Sequence, residues 1–220
     1  MNRPSLLFTG LFVSFAAAWW GLILVPQDQI GELQPQVDEE SDDVYPVDVG
    51  GVREQGRKVY LANGCIYCHT QQVRDAHMGV DIEREWGARR TVSRDYIYET
   101  PVTLGTIRNG PDLANTGVTK PGDASRGYLS DPKWHYLHLY HPRALVEDSI
   151  MPPFRFLFEK RRIEGDKSPD ALELAGADAV PDGWEVVPKP EAKALVGYLL
   201  SLNKSHPVKE VKGAAVSAGK

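Results

Sequence analysis

The chain has 220 residues, a formal net charge of −5 at neutral pH and only 2 cysteines. This length fits one globular domain of modest core together with an appendage. Its mild acidity gives no support to nucleic-acid binding, which depends on a basic surface.

An uncharged apolar run over residues 6–25 opens the chain. About 20 such residues are enough to cross a bilayer as a helix. The small residues at 16–18 also resemble a cleavage site, so a cleaved signal peptide is the alternative interpretation. The apolar run continues well past these alanines, further than a typical signal core, and this favours a retained transmembrane anchor over residues 1–26.

The charges on the two sides of this run predict its orientation. Arg3 precedes the run, whereas residues 26–52 contain no Lys or Arg. By the positive-inside rule, the amino terminus is predicted to be cytoplasmic and the rest of the chain after the run periplasmic, as in a single-pass protein of the bacterial inner membrane. Residues 27–51 predict an acidic linker. Its acidic run at 38–43 is either a solvated spacer or a docking surface for a basic partner protein.

Helical patterns dominate the rest of the chain and predict a mainly α domain over residues 52–205. A first helix is predicted over residues 52–62 and is closed by Gly64. A second is predicted over residues 131–140, where Asp131 is an N-cap candidate and a proline follows it. A third is predicted over residues 191–202, directly after a proline, from apolar residues at helical spacing.

The run Cys65-Ile66-Tyr67-Cys68-His69 has the C-x-x-C-H pattern by which c-type haem is attached. Two thiols at this spacing can each add to one vinyl group of the porphyrin, and the next residue places an imidazole beneath the iron. Cys65 and Cys68 are therefore predicted to carry one covalent haem c, with His69 as its proximal ligand. A redox C-x-x-C and half of a zinc site are the alternatives. A zinc site needs further soft ligands, and the chain has no other cysteine.

Other stretches of the domain lack a clear period. Residues 74–115 contain several glycines and short strand-like patches such as the one at 96–98. Residues 159–189 are polar with scattered Gly and Pro, and they predict an irregular surface excursion. Residues 206–220 predict a flexible tail.

An electron-transfer haem needs a sixth iron ligand, which is usually a methionine. Met1 lies on the wrong side of the membrane. Met78 follows His69 so closely that the chain would have to turn tightly around the haem edge for Met78 to reach the iron. Met151 precedes two prolines that keep its stretch out of a helix, as a ligand loop requires. Met151 is therefore the predicted ligand. A methionine that only fills a gap in the core is the alternative.

Three histidines of the second predicted helix are rival iron ligands, or together a metal cluster: His135, His138 and His141. We interpret each as a helix-surface or propionate-contacting residue instead. Six arginines are candidates for bidentate pairing with haem propionates: Arg74, Arg84, Arg89, Arg90, Arg94 and Arg108.

Several further motifs follow the haem-attachment pattern in a recognisable order. They are Trp86-Gly87, Arg108-Asn109-Gly110-Pro111-Asp112-Leu113-Ala114, Trp134-His135, Pro142-Arg143 and Ser149-Ile150-Met151-Pro152. In this order they resemble the mono-haem subunit II of cbb(3)-type cytochrome c oxidases. The resemblance covers the anchor and roughly residues 52–158.

The resemblance implies a mainly α, cytochrome c-like domain tethered by one amino-terminal transmembrane helix. It implies a haem site built from Cys65, Cys68, His69, Met151, Pro111 and Leu113. The subunit would pass electrons to a catalytic haem–copper subunit beside other cytochrome c subunits, with no catalytic residue and no small-molecule substrate of its own. The cytochrome c subunit of a nitric oxide reductase and a stand-alone electron carrier are the alternatives.

Overall fold

The computed structural model describes residues 3–37, 42–48, 50–118 and 127–211. By its internal contacts the chain divides into two units. The first comprises Met1–Val47 and Val92–Glu99, and the second comprises Asp48–Thr91 and Thr100–Lys220.

A long apolar helix makes up most of the first unit. It consists of α1 (Pro4–Trp19), a π-helical stretch (Trp20–Leu24) and α2 (Val25–Ile30), which follow one another without a break. Over Pro4–Ile30 the best 18-residue window has a mean hydropathy of 1.9, and none of it is buried. The helix is therefore a candidate membrane anchor, as the sequence predicts.

Two short strands follow the helix inside the segment predicted as a linker. These strands, β1 (Gln36–Val37) and β2 (Val44–Tyr45), pair antiparallel. Most of the acidic run proposed as a spacer or docking surface, at residues 38–41, lies outside the described residues.

A 3₁₀ helix at Ser93–Tyr96 completes the first unit. The Asp95 carboxylate is buried and accepts hydrogen bonds from the Tyr45 hydroxyl and the Val92 backbone N–H, both at 2.8 Å. The strand-like reading of residues 96–98 is therefore wrong. A side chain that satisfies a backbone donor stabilises a turn in place of an extended segment.

The second unit contains the helices α3 (Val52–Ala62), α4 (Pro132–Tyr140) and α5 (Pro190–Leu200). All three confirm the predicted helices to within two residues. Asp131 caps α4 by accepting a hydrogen bond from the Lys133 backbone N–H at 2.9 Å.

Helices α3 and α5 cross at direct backbone contact. A Cβ on Gly56 would lie 1.9 Å from the Ala194 carbonyl oxygen and 2.6 Å from the Tyr198 Cβ. Only glycine permits this approach. The rings of Tyr60 and Tyr198 meet beside the crossing, with centroids 5.6 Å apart.

One hydrophobic cluster joins these helices to the segments between them. Its most deeply buried members come from α3, α5 and the strand before α5: Tyr60, Val186, Ala192, Leu195, Val196 and Tyr198. The cysteine-bearing turn therefore rests on a core that is completed only by residues near the end of the chain.

Two antiparallel strands lie at the ends of the predicted excursion at 159–189. Strand β3 (Phe158–Arg162) pairs with β4 (Trp184–Pro188), with Phe158 opposite Pro188. The interpretation of this segment as wholly irregular is therefore corrected. Strand β3 exposes every residue after Phe158, so it lacks the alternation that marks a strand.

The described part of the predicted tail is held against the domain. The Arg89 side chain donates to the His206 carbonyl at 2.6 Å, and Val208 is buried and bridges to Val211. Residues 212–220 lie outside the described residues.

Candidate functional site

The cysteine motif forms a tight turn directly after α3. Gly64 has a φ of 70°, which a glycine adopts without strain, and it redirects the chain out of the helix. Cys65–Tyr67 then form a 3₁₀ turn, and the Cys65 carbonyl accepts from the backbone N–H of Cys68 at 3.1 Å and of His69 at 3.0 Å. The backbone thus holds the two cysteines and the histidine on one short turn.

The His69 imidazole is oriented by a backbone carbonyl. Its Nδ1 lies 2.8 Å from the Pro111 carbonyl oxygen, which can only accept a hydrogen bond. The proton must therefore be on Nδ1, and Nε2 keeps its lone pair for a metal. Burial lowers the pKa of His69, so the neutral ligand form is favoured.

Gly110 completes the cradle around this ring. Its backbone N–H donates to the Cys68 carbonyl at 3.0 Å. A Cβ at this position would lie 2.3 Å from His69 Cε1 and within 2.9 Å of both ring nitrogens. A side chain here would displace the imidazole, so the position requires glycine.

The Cys65 thiol lacks the lowered pKa of a redox cysteine. Both cysteines are free, with Cys65 half-buried and Cys68 exposed. Burial raises the pKa of the Cys65 thiol to about 11, whereas a reactive redox cysteine has a lowered pKa. A zinc site finds no support either, because the described residues include no group of three His, Cys, Asp or Glu that could hold a metal ion.

The buried Asp112 carboxylate holds the Pro111 loop against the segment that follows His69. Asp112 accepts hydrogen bonds from the Thr70 hydroxyl at 2.5 Å, the Gln72 backbone N–H at 2.8 Å and the Ala114 backbone N–H at 2.9 Å. The Arg108 Nε donates to the same Thr70 hydroxyl at 2.7 Å. This network fixes the carbonyl that orients the imidazole.

Candidate arginines that the sequence offered as propionate partners bind groups of the protein itself. Arg74 and Arg108 bind the fully buried Asp81 at 3.0 and 2.7 Å. Burial alone would raise the pKa of Asp81, but hydrogen bonds from these two arginines lower it to about 2. Arg89 binds the His206 and Arg90 carbonyls. These arginines serve the scaffold, which the sequence did not indicate.

Met151 lies half-buried against the main hydrophobic cluster, as Cys65 and Leu113 do. Its backbone N–H donates to the Ser149 hydroxyl at 3.3 Å. Met78, by contrast, is 77% exposed. The structure therefore brings Met151 to the core that supports the cysteine turn and leaves Met78 at the surface.

The three histidines of α4 and its end have different environments. His135 binds the Leu129 carbonyl at 2.8 Å, and His141 contacts the Asp178 carboxylate. The ring of His138 stacks on Trp134, with centroids 4.7 Å apart, and its buried Nδ1 has no hydrogen-bond partner among the described residues.

The surroundings of His138 favour its neutral form. Burial, with smaller effects of the nearby His135 and His69, lowers the pKa of His138 to about 4. A buried polar nitrogen without a partner is costly, which suggests that a group missing from the polypeptide lies beside it. The same interpretation is predicted for all three histidines, because no sequence pattern distinguishes His138 from His135 and His141.

Together these features fit a c-type haem. The lone pair on His69 Nε2 and the two free thiols on the same turn are groups that such a cofactor binds. Gly110 leaves room for the imidazole, and the unpartnered nitrogen of His138 is compatible with a further group beside it. Of the predicted site residues, Cys65, Cys68 and His69 lie on one turn with the Pro111 carbonyl at His69, whereas Met151 and Leu113 lie against the hydrophobic cluster.

Comparison with known proteins gives a family match. The model of the family described as cytochrome C oxidase, mono-heme subunit/FixO matches residues 21–181, more than half of the chain. A comparison with curated proteins gives no match. The chain therefore belongs to the family of mono-haem subunits of cytochrome c oxidase.

Proposed function

We propose that this chain carries one haem c, bound through thioethers to Cys65 and Cys68, and relays electrons to the catalytic haem–copper subunit of an oxidase that reduces oxygen to water. The observation that carries the proposal is the 2.8 Å contact between His69 Nδ1 and the Pro111 carbonyl, which leaves Nε2 free to bind iron. Membership of the mono-haem oxidase subunit family supports the assignment of one haem.

His69 and Met151 are the residues proposed to hold the haem iron. The Pro111 carbonyl and Gly110 fix the orientation of the His69 ring, and the Asp112 network fixes Pro111. A haem held by these two residues would supply one-electron transfer. The residues of this chain therefore hold, orient and shield the group, and none acts as a general acid or base.

The apolar helix Pro4–Ile30 is the proposed single-pass anchor in the bacterial inner membrane. Arg3 before it and the absence of Lys and Arg over residues 26–52 support a cytoplasmic amino terminus and a periplasmic haem domain. Covalent attachment to C-x-x-C-H takes place on that side of bacterial membranes, so cofactor and orientation agree. The proposed partners are the catalytic subunit and other cytochrome c subunits.

Covalent attachment is tested by haem staining of the full-length protein after denaturing electrophoresis. We expect the wild-type band to stain and a Cys65→Ala, Cys68→Ala double variant to lose the stain. Met151→Leu is the matched control, because an axial ligand is not an attachment point and its loss leaves the thioethers in place. An unstained wild-type band would contradict the proposal.

The partner is tested by purifying the complex from native membranes in mild detergent and identifying the other chains. A catalytic subunit that consumes oxygen is expected. Recovery with a catalytic subunit that reduces nitric oxide would support the alternative, and recovery of the chain alone would support a free electron carrier. The description of the matched family favours the oxidase.

A further inference from the structure

The stretch that carries Met151 has no regular secondary structure from Ser149 to Phe154. Its position therefore depends on separate anchors. Two anchors come from the preceding part of this chain. Arg143 Nε donates to the Ser149 carbonyl at 3.0 Å, and the Phe154 backbone N–H donates to the Leu139 carbonyl at 2.8 Å. They tie both ends of the stretch to α4 and the turn after it.

A third anchor comes from the middle of the 159–189 excursion. Arg155, four residues after Met151, donates to Asp178 Oδ1 at 2.6 Å. The other oxygen of Asp178 contacts His141 Nδ1, at the end of α4. The Asp178 side chain is only 12% exposed. One shielded carboxylate thus joins the end of α4 to the end of the methionine stretch.

The Arg155 guanidinium is further fixed by an aromatic ring. It lies over Tyr140, 5.1 Å from the ring centroid. Stacking on an aromatic face restricts a planar guanidinium to few orientations. Arg155 therefore approaches Asp178 in a defined geometry, although its own side chain is half exposed.

A fourth anchor comes from the end of the same excursion. The Lys189 backbone N–H donates to the Leu157 carbonyl at 3.0 Å, and its Nζ donates to the Phe156 carbonyl at 2.8 Å. Residues 155–157 are therefore held from two points of the excursion. Neither point lies next to them in sequence.

We infer that the excursion at 159–189 braces the methionine stretch and that Asp178 is a positioning residue for Met151. The inference rests on the proposed role of Met151 as an iron ligand. Groups that hold a metal ligand in place tune its bond to the metal, although they do not touch the metal themselves. A loosened stretch would let the Met151 sulfur leave its position more often.

The test compares Asp178→Asn with Asp170→Asn in the full-length, haem-containing protein. Asp170 is the matched control, since it lies in the same excursion and pairs with Lys193 of α5 at 2.5 Å instead of with the Arg155 end of the methionine stretch. The readouts are the far-red band of the methionine-bound ferric haem and the rate at which added imidazole replaces the methionine. A variant that is less stable but keeps Met151 bound to the iron should change neither readout.

We expect Asp178→Asn to weaken the far-red band and to speed imidazole uptake roughly three- to tenfold, the scale set by a partly shielded ion pair. Asp170→Asn should match wild type, and Asp178→Glu should recover most of the band. Arg155→Gln should reproduce most of the effect of Asp178→Asn, and the double variant should add little to Asp178→Asn, because both changes break the contact between Arg155 and Asp178. Arg155→Gln also serves if Asp178→Asn does not fold.

Two results separate the inference from the proposal beneath it. If the wild-type protein lacks the far-red band, Met151 is not the iron ligand. The inference that Asp178 positions Met151 is then overturned as well. If the far-red band is as strong in Asp178→Asn and in Arg155→Gln as it is in Asp170→Asn and wild type, the inference about the brace is overturned. The assignment of Met151 then stands.

Discussion

Substituting Gly110 by alanine should break the contact that orients His69. The added Cβ would stand 2.3 Å from His69 Cε1, whereas carbon atoms in ordinary contact lie about 3.5 Å apart. The imidazole or the Pro111 loop must then move by about 1 Å. The hydrogen bond from His69 Nδ1 to the Pro111 carbonyl is 2.8 Å long, and a shift of this size takes it beyond hydrogen-bonding range.

The expected cost has two parts. Forcing an extra methyl group into a packed site costs about 1–3 kcal/mol. Losing one hydrogen bond in a shielded position costs about 0.5–1.5 kcal/mol. We therefore expect Gly110→Ala to lower the free energy of unfolding by about 2–4 kcal/mol, and to disturb the haem spectrum because the His69 ring has turned.

Guanidinium unfolding of the full-length haem protein, followed by haem absorbance, measures this cost. Gly197→Ala is the matched control, because a Cβ there meets only Val52 Cγ1 at 4.0 Å and alanine favours the helix α5. The control should be as stable as wild type or more stable by up to about 1 kcal/mol. If Gly110→Ala unfolds at the same midpoint as Gly197→Ala with an unchanged spectrum, the reasoning about the cradle is refuted.

Three further predictions follow from the site and its scaffold. Met151→Leu should keep the haem attached, lower its reduction potential and admit carbon monoxide, while Met78→Leu at the surface should change none of these in a spectroscopic titration. Asp81→Asn should cost about 2 kcal/mol at neutral pH. The pKa of Asp81 falls from 3.8 to about 2 on folding. The difference in free energy of unfolding between wild type and Asp81→Asn should therefore be full above pH 3.8 and vanish as the pH falls through 2. Unfolding curves across that pH range test this expectation. Gly56→Ala should destabilise the crossing with Ala194 by more than about 1 kcal/mol, and an unchanged melting temperature would contradict the contact.

The parts of the molecule that local chemistry specifies were predictable from sequence. The apolar run, the C-x-x-C-H turn and the capped start of α4 each depend on residues that are close together in the chain. Asp131 with the following proline is a helix start in any context, and the structure confirms it.

The parts that depend on distant partners were not predictable. Asp81 is an ordinary acidic residue by its neighbours, and only the fold shows that it is fully buried between two arginines. Strand β3 consists mainly of exposed charged residues, so nothing in its pattern identifies it before β4 is placed beside it. His138 likewise differs from His135 and His141 only in what surrounds it.

The contact between α3 and α5 bears on the order of events during biogenesis. Gln71, just after the cysteine turn, shares a hydrogen bond with Tyr198 of α5, 127 residues later. A nascent chain must therefore be nearly finished before the turn gains its final support, because contacts between such distant residues form late. The proposed attachment of haem to the two thiols would then take place before the last helix has docked, while the turn still lacks its contact with Tyr198.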